Sequence, residues 1–154
     1  MPRFDHRKAH GSAALIFVIA AGATAQSAAA VASAAAIPSV GRFAGATSQH
    51  RSIGFTVSGT HRSLGHENIK LALTCPDRYA IAFTISKHIQ LVIHHGVFDS
   101  SWTGTSSLGA PYKIRFAGRF AKAKRASGRI QIVVTYPQHG ACGSGLVYWS
   151  ARHR

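Results

Sequence analysis

Apolar and polar residues alternate with period two along most of the chain beyond residue 40. Ile69, Leu71, Leu73 and Cys75 share one parity and are interleaved with Lys70, Ala72 and Thr74. Tyr79, Ile81, Phe83 and Ile85 repeat the pattern, then Ile89, Leu91 and Ile93. Tyr112, Ile114, Phe116, Gly118 and Phe120 oppose Lys113, Arg115, Ala117 and Arg119; Ile130, Ile132, Val134 and Tyr136 oppose Arg129, Gln131, Val133 and Thr135. A strand sends successive side chains to opposite faces, so this alternation is what a half-buried strand requires. β-branched and aromatic residues dominate the runs, and Gly, Pro, Asn, Asp or Ser separate them.

The pattern predicts about eight strands, near 41–47, 52–58, 67–75, 78–86, 89–94, 111–121, 127–136 and 145–152. No helical period and no internal repeat runs through this region. Short strands at this spacing predict an all-β fold, an antiparallel β-sandwich with a small closed barrel as the alternative.

The first 36 residues read differently. Arg3, Arg7 and Lys8 precede an uncharged apolar run from Ala13 to Ala23, followed by small residues in the A-x-A pattern. This is the layout of a secretory signal peptide, with cleavage expected after Ala25, Ala34 or Ala36. No Arg-Arg pair precedes the run, which favours the general secretory route over the twin-arginine one. The rival reading is an uncleaved helical membrane anchor, since no charge falls between Lys8 and Arg42. Bulky apolar residues are nearly confined to Leu15–Ile19, however, and Ala, Ser and Thr drive insertion weakly. Either way the division is a leader over 1–36 and a β-domain over 37–154, outside the cytoplasmic membrane.

Export changes the meaning of the two cysteines. In an oxidising compartment Cys75 and Cys142 most simply pair. The alternative, Cys142 as a nucleophile beside the Gly143-Ser144-Gly145 turn, needs a free thiol and an orienting His with Asp or Asn, of which no local signature exists.

Several short motifs punctuate the domain in order. Gly41-Arg42-Phe43-Ala44-Gly45-Ala46-Thr47-Ser48-Gln49 comes first, then Cys75-Pro76, Gly96-Val97-Phe98, Phe116-Ala117-Gly118-Arg119-Phe120 and Ala126-Ser127-Gly128. Cys142-Gly143-Ser144-Gly145-Leu146-Val147-Tyr148-Trp149 closes the series. The ordered set resembles a group of small secreted actinobacterial proteins of unknown function. The resemblance covers nearly the whole of 37–154 and implies an exported all-β domain with one cysteine pair, and no activity. His50 departs from it by standing where Gly is usual, at a turn where Gly would permit positive φ. Read physically, Ala126-Ser127-Gly128 closes a turn between strands, and Trp149 offers an apolar plate beside the disulfide.

Charge supplies the main functional signal. The chain carries 18 Lys+Arg against 4 Asp+Glu, a formal +14. Arg3, Arg7, Lys8 and Asp5 fall in the leader, which leaves 15 basic and three acidic residues from 37 onward. Seven of these basic residues, Lys113, Arg115, Arg119, Lys122, Lys124, Arg125 and Arg129, lie within 113–129, and no acid follows Asp99. They are expected on the polar face and tip of one hairpin, facing each other as like charges whose repulsion a polyanion would relieve. Anionic wall polymers and membrane surfaces are the partners this implies. The alternative is a solvated face on a structural or protein-interaction module with no dedicated ligand.

Other chemistry finds little support. Eight histidines follow the leader, but no H-x-H occurs, and the adjacent His94 and His95 would point to opposite faces of their strand, so no metal site is expected. Glu67 stands alone, and Asp77 and Asp99 fall beside expected turns, where Asp caps locally. No G-x-S-x-G, H-E-x-x-H or P-loop is present. The expectation is a non-catalytic domain with no cofactor and no specific nucleic-acid recognition, since RNP-like aromatic motifs are missing.

Overall fold

The computed structural model describes residues 35–87 and 90–154. The leader and signal helix expected over residues 1–36 fall, apart from Ala35 and Ala36, outside the described residues. Ten antiparallel strands and no helix make up the described chain: β1 (Gly41–Thr47), β2 (Ser52–Val57), β3 (Ser63–Thr74), β4 (Ala80–Lys87), β5 (Leu91–Val92), β6 (Val97–Thr105), β7 (Pro111–Lys122), β8 (Arg125–Tyr136), β9 (Gly140–Gly143) and β10 (Val147–His153).

Of the two expected architectures, the pairing realises the closed barrel. β1 pairs β2, β2 pairs β3, β3 meets β9, β9 pairs β8, β8 pairs β10 and β10 returns to β1, a ring of six strands. β4 and β5 extend the sheet from β3, and β7 with β6 extend it from β8. A ring this small has no lumen, because inward side chains fill it. Phe43, Phe55, Phe116, Phe120 and Trp149 form its aromatic centre, all buried. Phe43 stacks on Phe55 at 5.4 Å, Phe120 meets both of them edge to face, and Trp149 meets Phe55 in the same way.

Four local expectations are corrected. The strand expected over 89–94 shrinks to Leu91–Val92, because the chain reverses at His94–Val97 with His95 and Gly96 at positive φ. His94 and His95 therefore occupy a tight turn, not opposite faces of a strand. Ala126-Ser127-Gly128 lies inside β8; the turn is Ala123-Lys124. Asp99 does follow the turn at His94–Val97, but it lies in β6 and its carboxylate accepts from Arg115 instead of capping locally. Trp149 is registered with Gly128, whereas Cys142 is registered with Val134, about 20 Å further along β8 at strand rise. The tryptophan lies over glycines, far from the disulfide.

The Cys75–Cys142 bond closes the barrel where its ladder is thinnest. β3 and β9 share one registered pair, Thr74 with Gly143, and the disulfide joins the residues beside it across a Cα separation of 4.0 Å. Gln49 bridges the same seam. Its Nε2 donates to the carbonyls of Ala72 (2.9 Å) and Ser144 (3.3 Å), and its Oε1 accepts from Ala72 N–H at 2.9 Å. A side-chain amide thus stands in for a strand residue between β3 and the end of β9. Ser144 continues the ladder with Ile132, its Oγ accepting from Ile132 N–H at 3.0 Å, so this hydroxyl is structural. A disulfide fits an oxidising environment.

Candidate anion-binding face

Outward side chains on β7, β8, β10 and β1 form rows across the sheet, because antiparallel partners in register point to the same side. One row runs Arg119, Ser127, Ser150, Ala46. On one flank lies the row Asp99, Ala117, Arg129, Tyr148, and on the other Arg125, Arg152, Ala44. All these side chains except Ala117 are at least partly exposed. The central row is small beyond Arg119, so long side chains rise on both sides of a low floor.

Two adjoining depressions record this shape. One of about 580 Å³ is lined by Ala46, Arg125, Ser127, Ser150 and Arg152 among others. The other, about 520 Å³, is lined by Arg119, Ser127, Arg129, Tyr148 and the carboxylate residue Asp99 among others. Ser127 lines both, so the two open depressions adjoin at that residue along the central row, and together they form the channel referred to below. Arg125 and Arg129, like Tyr148 and Arg152, are four residues apart on one strand, which sets the channel walls about 13 Å apart at the backbone.

Glycine makes the interior side of this face work. Gly118 and Gly128 stand in register between Phe98 and Trp149. A Cβ on Gly118 would fall 2.4 Å from Trp149 Cζ2 and 2.7 Å from Phe98 Cζ, so the indole packs flat under the channel only because no side chain is there.

The electrostatics are one-sided. The ion pairs of Asp99 and Asp77 are both made with residues other than the channel arginines. Arg115 donates to Asp99 through Nε (3.1 Å) and Nη2 (2.8 Å), which holds the Asp99 carboxyl below its ordinary range and raises the guanidinium. Arg129 also lowers Asp99 through space, but more weakly. His139 Nδ1 lies 2.6 Å from Asp77, whose carboxyl is lowered chiefly by that hydrogen bond and then by Tyr79 N–H. Tyr79 stacks on the His139 ring at 4.6 Å, so the group braces the loops beside the disulfide. Glu67 is buried inside the barrel wall. Arg119, Arg125, Arg129 and Arg152 are left with no carboxylate ion pair among the described residues.

The seven basic residues singled out from the sequence fall on the expected hairpin, β7–β8, but are not equivalent. Arg115 is tied to Asp99, so the acid at the edge of the basic run does neutralise part of it. Lys113 stands opposite Val133 at the far end, and Arg119 opposite Ser127, so most of these cations are staggered instead of facing each other. Lys122 faces Arg125 directly, and Lys124 occupies the turn, its carbonyl accepting from His153 N–H. The channel gathers Arg119, Arg125 and Arg129 and adds Arg152, which the sequence reading passed over. Its strand was legible and its parity polar; its register with Arg125, 27 positions away, was not.

Four of the histidines serve the backbone. His50, His61, His66 and His95 all adopt positive φ, a region His enters more readily than most residues. His50 takes the turn conformation for which Gly is usual. No three His, Cys, Asp or Glu side chains come together among the described residues. No family model, characterised protein or solved structure matches the chain.

Proposed function

We propose that residues 37–154 form an exported, non-catalytic module that binds anionic polymers of the cell envelope through the outer face of β7, β8 and β10. The leader-like first 36 residues and the motif resemblance support export. The observation that carries the binding reading is the convergence of Arg119, Arg125, Arg129 and Arg152 around one channel with no ion pair of their own, the Asp99 carboxylate on its rim being taken by Arg115. Arg125 and Arg152 are directly opposed, an arrangement that costs stability unless an anion lies between them. Binding a polyanion there releases its counterions, so affinity falls as salt rises.

Fractionation of producing cells tests this. The protein is expected with the envelope at low salt and in the soluble fraction after a high-salt wash. Partitioning that ignores salt would instead identify a structural or protein-interaction module whose charge only keeps it soluble.

A further inference from the structure

Resting on the anion-binding reading above, the geometry points to one occupant class for the channel: a single extended phosphodiester chain with short polyol or sugar linkers. It lies across β8, β10 and β1 over Ser127, Ser150 and Ala46. Arg125, Arg129 and Arg152 hold its phosphates from the two walls, and the exposed ring of Tyr148 meets its linkers.

Shape selects a single chain. The walls stand about 13 Å apart at the backbone and arginines narrow the gap further, whereas a helix is already 10–12 Å across with its side chains. A bilayer is flat and would touch only the wall tops. Chemistry selects phosphodiester. Its charge lies within the chain itself, so a chain on the floor brings each phosphate within reach of guanidinium forks on both sides. The Ser127 and Ser150 hydroxyls, exposed on that floor, supply donors for the remaining phosphate oxygens. Tyr148, 61% exposed at the channel wall, offers a flat apolar surface to the C–H face of a linker. Single-stranded nucleic acid fits less well, because proteins that bind it array successive aromatic side chains, and Tyr148 is the one exposed aromatic lining these depressions.

The test fills the channel without changing its charge. Ser127→Leu/Ser150→Leu and, separately, Ala46→Met are compared with the wild type by titration with oligo(glycerol phosphate), polyphosphate, phosphatidylglycerol vesicles and oligo(dT). Thermal melts confirm that each variant folds. Filling is expected to weaken oligo(glycerol phosphate) binding at least tenfold, while Lys70→Gln on the opposite wall of the barrel changes it less than about twofold. Tyr148→Ala should weaken oligo(glycerol phosphate) but not polyphosphate, which has no linker. Folded, filled variants that bind as the wild type does would overturn the channel while leaving the charged face standing. Tighter binding of oligo(dT) or vesicles than of oligo(glycerol phosphate) would overturn the ligand class. A wild-type protein that binds none of the four would overturn both this inference and the reading beneath it.

Discussion

Trp149 occupies space that two missing side chains leave, which makes both glycines of the β7–β8 wall sensitive: a Cβ on Gly128 would fall 2.0 Å from the Ala117 carbonyl oxygen, and one on Gly118 would meet the indole. Gly118→Ala forces a methyl to within 2.4 Å of the indole. Overpacking of this kind costs about 1–3 kcal/mol, and a urea melt of the variant should show it as a lower midpoint with an unchanged slope. Asp77 makes a prediction of a different kind. Its folded pKa is depressed by His139, so the pair's contribution is present above the ordinary carboxylate range and is lost as pH falls through the lowered value. Asp99 behaves likewise through Arg115. Stability should therefore decline below about pH 4, and Asp77→Asn should flatten that decline while lowering stability at neutral pH. Urea midpoints measured against pH check both signs. At this scale the turn after β1 was legible, but the positive φ of His50 was not, because His stands where Gly would permit it most easily. Nor was the pairing of Asp77 with His139, 62 positions apart, because only the disulfide and the closing of the barrel bring them together.

At the scale of elements, strands with strict alternation could be read directly: β1, β2, β4, β7, β8 and β10 fall within a few residues of where periodicity puts them. β6 could not, because Val97–Thr105 is mostly Ser, Thr and Gly, with Phe98 as its one fully buried side chain. β9 is four residues long and built around Gly and Cys, a composition that reads as a loop until β8 is there to pair with it. The seam those short pieces leave is held by the disulfide and by Gln49. Removing the cross-link by Cys75→Ala/Cys142→Ala frees a loop with a sequence separation of 67, which costs about 4 kcal/mol in the chain-entropy model. Gln49→Ala removes the bridging amide and leaves the Ala72 N–H without its partner. At about 1 kcal/mol for each of the three hydrogen bonds lost, plus the penalty for a stranded donor, the expected loss is about 4 kcal/mol. Chemical denaturation of both variants, separately and combined, should show less than additive losses, since each opens the same seam.

For the molecule as a whole, the sequence carried the fold class but not the closure. Whether eight or ten strands lie as two layers or bend into a ring depends on the non-local pairs β1–β10 and β3–β9, which leave no periodic mark. The functional face has the same history. The basic run along β7–β8 was plain; the channel appears only when β10 lies beside β8 and sets Arg152 opposite Arg125. The most direct test of the account is the salt dependence of binding to a soluble phosphodiester polymer, measured by titration for the wild type and for a variant with Arg119, Arg125, Arg129 and Arg152 changed to Gln. Each phosphate contact contributes about 0.7–0.9 to the slope of log K against log salt. The wild type should bind with a steep negative slope, and the variant should bind weakly with a slope shallower by about three. Equal slopes for the two proteins would contradict the account.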